Sequence, residues 1–422
     1  MKKLFDSPFA YTALLWLLLP YVFFHLLWRG RKQPEYLKHI PERFGFFSIS
    51  ADKPVIWLHT VSVGETRAAA SLIQHLIRQF PNHQLLLTHT TPTGREASEQ
   101  LYGDNVLRVY LPYDYPFAVR RFLHHFQPRI GILLETEIWF NLIHSCHSIH
   151  TPLLLLNARL SEKSSARYAL FPKLARQGLS ELHSTAAQTE SDAKRLLSLG
   201  AENITLMGNL KFDIEPPPAM TDLGKRLRIS FGASRNIFLA ASTREGEEEL
   251  ILAALKNIQI PDLLTILVPR HPQRFDDVAT LIECEGFKFQ RRSSNEIIRA
   301  ETQIVLGDSM GEMFAYYAAC DVAFIGGSLL PFGGQNLIEA CAVGKPVLIG
   351  PHTYNFEQAS LLAIECGAAL RIADGAEITS ALQSLFSNPG KILTMGNAGL
   401  GFVRVNQGAT EKALSLVSAA IK

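Results

Sequence analysis

Short apolar runs alternate with longer amphipathic stretches along almost the whole chain, and the alternation occurs twice. Residues 55–59, 85–88, 106–110, 130–134 and 153–156 have the length and apolar content of buried strands. Helical patterns fall at 65–79, 116–126 and 163–180, and the series ends near 204–207. Strands apolar along their whole length, separated by helices, require a parallel sheet covered on both faces. Glu215-Pro216-Pro217-Pro218 then stops the pattern, because consecutive prolines hold the chain stiff and extended. Beyond it the alternation restarts, with strands predicted at 237–241, 263–268, 303–306, 322–325 and 346–349, and helices at 245–256, 275–285, 310–320 and 355–366. The expected fold is α/β, with two doubly wound domains of similar size facing across a cleft. The predicted divisions are an N-terminal anchor at 1–32, a first domain at 33–214 and a second at 215–422, the last helix being able to pack back on the first domain.

Residues 9–28 are almost wholly apolar, interrupted by Thr12, Pro20 and His25. Twenty helical residues span about 30 Å, the thickness of a hydrocarbon core. A transmembrane helix is therefore expected, with a helix lying in the membrane interface as the alternative that the break at Pro20 favours. Tyr11, Trp16, Tyr21 and Trp28 include candidates for an interfacial belt. Arg29, Arg31, Lys32 and Lys38 follow the segment and outnumber Lys2 and Lys3 before it, which places the large body on the cytoplasmic side. A soluble fragment starting after Arg43 is expected to keep its fold. The net charge of +2 creates no global field for nucleic acid. Five cysteines without a CxxC pair fit reduced thiols.

Ligands of such sheets sit beyond the carboxyl ends of strands, so the post-strand loops are the candidates for chemistry. Gly326-Gly327-Ser328-Leu329-Leu330-Pro331-Phe332-Gly333-Gly334-Gln335-Asn336-Leu337-Ile338-Glu339 links a buried strand to a helix. A glycine-rich turn of this kind lets backbone N–H groups approach an anion, and Glu339 lies where it can accept from a ribose. A tight turn whose glycines only supply positive φ is the structural alternative. In Thr60-Val61-Ser62-Val63-Gly64-Glu65, Gly64 allows a sharp turn, and Glu65 is either a helix cap or a general base. Glu135-Thr136-Glu137 suits electrostatic or hydrogen-bonding roles better than metal binding, since no Asp-x-Asp occurs anywhere. In Pro269-Arg270-His271-Pro272-Gln273-Arg274, Arg270 can bind phosphate bidentately, whereas Arg274 is expected to face solvent. Gly307-Asp308-Ser309-Met310-Gly311-Glu312 is a further strand-to-helix turn, and Lys211 sits where it can reach a phosphate. His144, His147 and His150 read as ordinary surface or packing residues.

Together these residues carry a resemblance to the 3-deoxy-D-manno-octulosonic acid (Kdo) transferases of lipopolysaccharide assembly. It spans nearly the whole chain. It includes the anchor followed by Arg29-Gly30-Arg31-Lys32, Ser62-Val63-Gly64-Glu65, Thr91-Pro92-Thr93-Gly94, Leu111-Pro112-Tyr113-Asp114 and Glu135-Thr136-Glu137. Asn157-Ala158-Arg159-Leu160, Leu210-Lys211-Phe212-Asp213, Pro269-Arg270-His271-Pro272, Gly307 to Glu312 and the glycine loop continue it. The resemblance implies the GT-B architecture. It also implies transfer of Kdo from CMP-Kdo to a lipid A precursor (lipid IVA), with inversion, at the cytoplasmic face of the inner membrane, and no cofactor or metal. Glu65 would be the base, and Glu135 and Lys211 would stabilise the transition state. Pro269, Arg270, Met310, Gly311, Glu312, Asn336, Leu337, Ile338 and Glu339 would bind CMP-Kdo. Two positions depart from the family pattern: Phe140 stands where it has proline, and Gln335-Asn336-Leu337-Ile338-Glu339 where it often has His-Asn-Pro-Leu-Glu. The second puts loop stiffness and nucleotide affinity in question. A nucleotide-sugar epimerase, a lipid glycosyltransferase using UDP-sugars, and a membrane-tethered nucleotide sensor without turnover are the competing classes.

Overall fold

The computed structural model describes residues 6–421, so Lys2 and Lys3 lie outside the described residues. The chain forms two compact units. One comprises the residues up to Asp213 together with those from Gln407 onward, and the other is Ile214–Asn406.

Among the described residues of the first unit, seven parallel strands form one sheet: β1 Val55–His59, β2 Gln84–His89, β3 Leu107–Tyr110, β4 Ile130–Leu134, β5 Leu153–Ala158, β6 Ser184–Ala187 and β7 Ile204–Leu206. Their order is β3-β2-β1-β4-β5-β6-β7. β1, β4 and β5 are buried at every position because helices cover both faces. Alternate side chains enter opposite cores, Trp57, Leu133 and Leu155 on one face and Leu58, Ile132 and Leu154 on the other. The strand order reverses between β1 and β4, which makes the carboxyl ends of these two strands a topological switch point.

The second unit repeats the plan with β8 Asn236–Thr243, β9 Leu263–Pro269, β10 Phe289–Arg291, β11 Ile304–Leu306, β12 Val322–Ile325, β13 Val347–Ile349 and β14 Ala369–Arg371. Their order is β10-β11-β9-β8-β12-β13-β14, so the switch point lies beyond β8 and β12.

Two helices expected as single are each broken. The pattern at 65–79 forms Val63–Ala68 and Ala70–Gln79, and that at 163–180 forms Glu162–Tyr168 and Pro172–Ser180. Pro172 lacks an N–H and starts a helix more readily than it continues one. The last helix, Ala409–Ala420, belongs to the first unit. Its Ala409, Ala413 and Val417 enter the core under β1 and β4. The Asp213 carboxylate caps it, accepting from the Gly408 N–H at 2.7 Å and from the Thr410 N–H.

The helix Pro8–Lys32 is long and apolar enough to cross a membrane, an 18-residue stretch of it having a mean hydropathy of 1.7. Its first half is nevertheless bonded to the first unit. The Tyr11 hydroxyl donates to Asp114 at 2.8 Å, the Thr12 hydroxyl to the Asn141 side chain at 2.9 Å, and the Tyr115 hydroxyl to the Leu15 carbonyl at 2.8 Å. Phe140 meets the Tyr11 ring edge-on at 5.2 Å and so helps seat this helix. Burial pushes the Asp114 carboxyl up to about 7, against the pull of the Tyr11 hydroxyl and the Asn141 and Leu142 N–H donors. The outward face carries Leu17, Tyr21, Phe24 and Trp28.

A cut after Arg43 is not the clean boundary the sequence implied. Glu42 and Arg43 are both buried. Glu42 accepts from Arg95 and from the Tyr110 N–H, each at 2.7 Å, and the Arg43 guanidinium lies 4.0 Å over the Tyr110 ring. Removing them orphans a partly buried cation and a buried N–H, a loss of about 3–5 kcal/mol by comparison with broken buried pairs. A fragment starting at Gln33 is expected to unfold at clearly higher denaturant than one starting at Phe44. Equal midpoints in equilibrium denaturation would remove this role for Glu42 and Arg43.

Candidate functional site

The first unit presents its candidate side chains beyond β1, β4 and β7. Ser62 is the N-cap of Val63–Ala68, its hydroxyl accepting from the Glu65 N–H at 3.4 Å. Glu65 reaches back and accepts from the Val61 N–H at 2.7 Å and the Ser62 hydroxyl at 3.2 Å. This reciprocal cap fixes the carboxylate. Burial pushes its pKa up to about 7; the Val61 N–H pulls it down, and the neighbouring charges of Glu135 and Glu137 push it further up. Cap and base are therefore compatible roles for one side chain. Gly64 adopts no left-handed backbone and lies inside the first helical turn, so it does not make the sharp turn expected of it.

Glu135 directly follows β4 with φ of +61°, unusual for a residue with a side chain. Its N–H donates to the Leu156 carbonyl at 3.1 Å and its own carbonyl accepts from the Arg159 N–H at 3.4 Å, which holds the strained conformation. Its carboxylate lies 4.0 Å from the Lys211 ammonium. Lys211 sits in the short turn Leu210–Phe212. Asn157, buried and also at positive φ (+54°), accepts from the Leu210 N–H at 3.1 Å, and Asn209 accepts from the Lys211 N–H at 3.0 Å. Glu65, Glu135 and Lys211 thus come from three separate post-strand segments of one unit, two of them at its switch point.

The second unit uses its switch point differently from the expectation. The glycine-loop amides of Gly327 and Leu329 donate to the fully buried Glu247 carboxylate, at 2.6 and 2.9 Å. The Arg244 N–H donates to the same group at 2.9 Å. The anion held by those amides is therefore the protein's own side chain, and they are not available to a phosphate. Close approach makes this possible: a Cβ on Gly326 would lie 2.4 Å from the Ser242 carbonyl oxygen. Arg274 corrects a second expectation. It does not face solvent but grips buried Glu248 through two hydrogen bonds, at 2.7 and 3.0 Å.

Pro269 ends β9, and the N–H of Arg270 donates to the Thr243 carbonyl at 2.9 Å, which brings the loops after β8 and β9 together. Met310 is exposed and Gly311 is left-handed, with φ of +80°. Glu312 pairs with Arg292 at 3.2 Å and accepts from the Ser309 hydroxyl at 2.6 Å. Asn336 accepts from the Ile338 N–H and donates to Glu339, both at 3.1 Å. The Leu337 and Ile338 side chains are buried in the core, so only backbone at these two positions can meet a ligand. Among the described residues, no group of three or more His, Cys, Asp or Glu is arranged to hold a metal ion.

The profile of the family described as 3-deoxy-D-manno-octulosonic-acid transferase (kdotransferase) matches residues 38–214. The 3-deoxy-D-manno-octulosonic acid transferase of Haemophilus influenzae is 37% identical over 416 residues, covering 97% of each chain. That of Bordetella pertussis is 39% identical over 421 residues, covering 96% of this chain and 97% of its own. The chain belongs to the Kdo transferase family.

The fold of this Kdo transferase is GT-B. A glycosyltransferase from Rickettsia africae has a TM-score of 0.58 at 14% identity, covering 88% of this chain and 99% of its own. A UDP-GlcNAc 2-epimerase from Neisseria meningitidis bound to UDP-GlcNAc has a TM-score of 0.58 at 15% identity, covering 87% of this chain and 100% of its own. At such identities the likeness concerns architecture alone. Sequence reasoning missed two residues of the Kdo transferase that the structure brings to the switch point of the second unit. Arg244, whose guanidinium lies 4.4 Å over the Phe332 ring, follows β8 directly. Glu247 opens the next helix, where an acidic residue looks like ordinary dipole pairing. Applying the post-strand rule to β8 as well would have found both.

Proposed function

We propose that this Kdo transferase takes Kdo from CMP-Kdo and attaches it to a hydroxyl of a lipid A precursor (lipid IVA), inverting the anomeric centre, without a metal or other cofactor. The observation that carries the reading is Glu65: a fixed carboxylate with a pKa near 7, beside Glu135, which is in turn paired with Lys211. The leaving CMP is a phosphate monoester and departs without protonation, so the reaction needs cations for the phosphate and a base for the acceptor. Arg270 and Lys211 supply positive charge. A carboxylate such as Glu135 favours the cation-like sugar carbon. Glu65 takes the hydroxyl proton as the acceptor attacks. Pro269, Met310, Gly311, Glu312, Asn336, the backbone at Leu337 and Ile338, and Glu339 contact the nucleotide. The amides of Gly327 and Leu329 have no part in this, being bound to Glu247.

Membrane attachment is by Pro8–Lys32, at the cytoplasmic face of the inner membrane. Polar bonds from Tyr11 and Thr12 to the first unit favour a helix lying in the interface over one crossing it.

Purified enzyme given CMP-Kdo or UDP-sugars with a tetraacylated lipid A precursor is expected to release CMP and add Kdo mass only with CMP-Kdo. Product formation from UDP-sugars, or CMP binding without release, would replace this reading by a competing class. The pH dependence follows from Glu65. A base works only when deprotonated, so kcat is expected to fall as pH drops through about 7. A limb near the ordinary carboxylate value of 4.5 would remove Glu65 as a buried base.

A further inference from the structure

Arg244 directly follows β8 and lies at the switch point of the second unit. Its backbone N–H serves Glu247, whereas its side chain is posed by three other contacts. The stem runs beside Gly327, where an added Cβ would lie 3.5 Å from the Arg244 Cγ. The guanidinium lies 4.4 Å over the Phe332 ring. Nε donates to the Glu245 carboxylate at 3.0 Å. Among the described residues, no acceptor meets Nη1 or Nη2, and the side chain is 25% exposed. The other carboxylates nearby are engaged elsewhere, Glu247 with the loop amides and Glu248 with Arg274. A guanidinium held by its stem, its face and Nε presents a preset fork of N–H groups. Such a fork matches an external carboxylate or phosphate through two parallel hydrogen bonds.

The donor proposed above offers two anions. The anomeric carbon of an octulosonic acid bears its carboxylate and, in the CMP conjugate, the leaving phosphate. Arg270 is the proposed partner of the phosphate. Its N–H bonds the Thr243 carbonyl at 2.9 Å, which brings its backbone to the residue before Arg244. We propose that Arg244 grips the carboxylate of the donor sugar through its Nη1 and Nη2 groups, and so selects a CMP-linked ulosonic acid over nucleotide sugars that lack this group. The amides of Gly327 and Leu329 cannot take this role, being bound to Glu247. The positive field extends to His271: burial lowers its pKa, and the charges of Arg244, Arg270 and Arg274 lower it further against Glu245. The inference rests on CMP-Kdo being the donor.

Calorimetry without acceptor separates the two anions, because CMP carries the phosphate and lacks the carboxylate. Arg244→Gln is expected to weaken CMP-Kdo binding by roughly 10- to 100-fold, the usual contribution of hydrogen bonds between charged groups. CMP binding is expected to stay at the wild-type value. The side-chain change leaves the N–H bond to Glu247 in place, so the loop keeps its shape. Arg244→Lys keeps the charge without the fork and should fall between. Equal losses for CMP and CMP-Kdo would assign the phosphate to Arg244 and overturn the proposal, as would wild-type affinity for CMP-Kdo in Arg244→Gln. Should Arg244→Gln fail to fold, Arg244→Lys is judged by the same comparison. Failure of the donor reading looks different: the wild-type enzyme would then transfer no Kdo from CMP-Kdo, whatever Arg244 does to binding.

Discussion

Glu65→Gln is expected to lower kcat by about 10²–10⁴-fold, the usual contribution of a positioned general base. The substitution is informative because it spares the fold. A glutamine oxygen still accepts from the Val61 N–H and so preserves the cap, with glutamine as acceptable as glutamate at this helix position. Proton affinity is what it loses. Glu65→Ala removes base and cap together and is expected to show a similar kcat loss with about 1 kcal/mol less stability. CMP affinity, measured by calorimetry, should stay at the wild-type value in both, since Glu65 is not among the proposed nucleotide contacts. Turnover within a few fold of wild type in both variants would take the base role away from Glu65.

Glu247→Ala is expected to be the most damaging single change in the second unit. The carboxylate is fully buried and receives the N–H groups of Arg244, Gly327 and Leu329. Burial alone raises its pKa, and these N–H groups oppose the shift, which keeps a charged acceptor tolerable inside the protein. Alanine leaves three amides without a partner, at about 1–3 kcal/mol each, so a loss of about 4 kcal/mol is reasonable and lies in the diagnostic tail of single substitutions. The glycine loop also loses the tie that shapes it, so CMP affinity should fall with stability. Glu247→Gln keeps an acceptor but turns an NH₂ toward N–H groups, and should fall between. Equilibrium denaturation with CMP calorimetry reads both effects; a Glu247→Ala protein with wild-type midpoint and affinity would show that the loop holds itself.

The sheets were largely legible because buried strands announce themselves. β1, β4 and β12 coincide with apolar runs that need no partner to be recognised. β6 escaped notice because Ser184-Thr185-Ala186-Ala187 has little hydrophobic contrast, although the fold buries all four residues. β10 and β14 are three-residue edge strands, too short for periodicity to register. At the candidate site, the sequence pointed to Glu65, Glu135 and the glycine loop by their position after strands. The contact of Glu135 with Lys211 crosses 76 positions of chain between β4 and the turn after β7, and its length of 4.0 Å could not be read from spacing. Arg274 looked exposed for a related reason: it begins a helix, and its buried partner Glu248 comes from another one.

By itself, the sequence determined the α/β class, the two-unit plan and the family, because apolar periodicity and ordered motifs are local properties carried by neighbouring residues. The tertiary structure alone decided which charged group meets which donor. Glu247 and Gly327 stand 80 residues apart, and the crossover from β8 to β12 is what brings them within 2.6 Å. A hydrogen bond depends on distance and direction between particular atoms, so a glycine loop that reads as an open anion cradle can already be closed by a carboxylate from elsewhere in the fold.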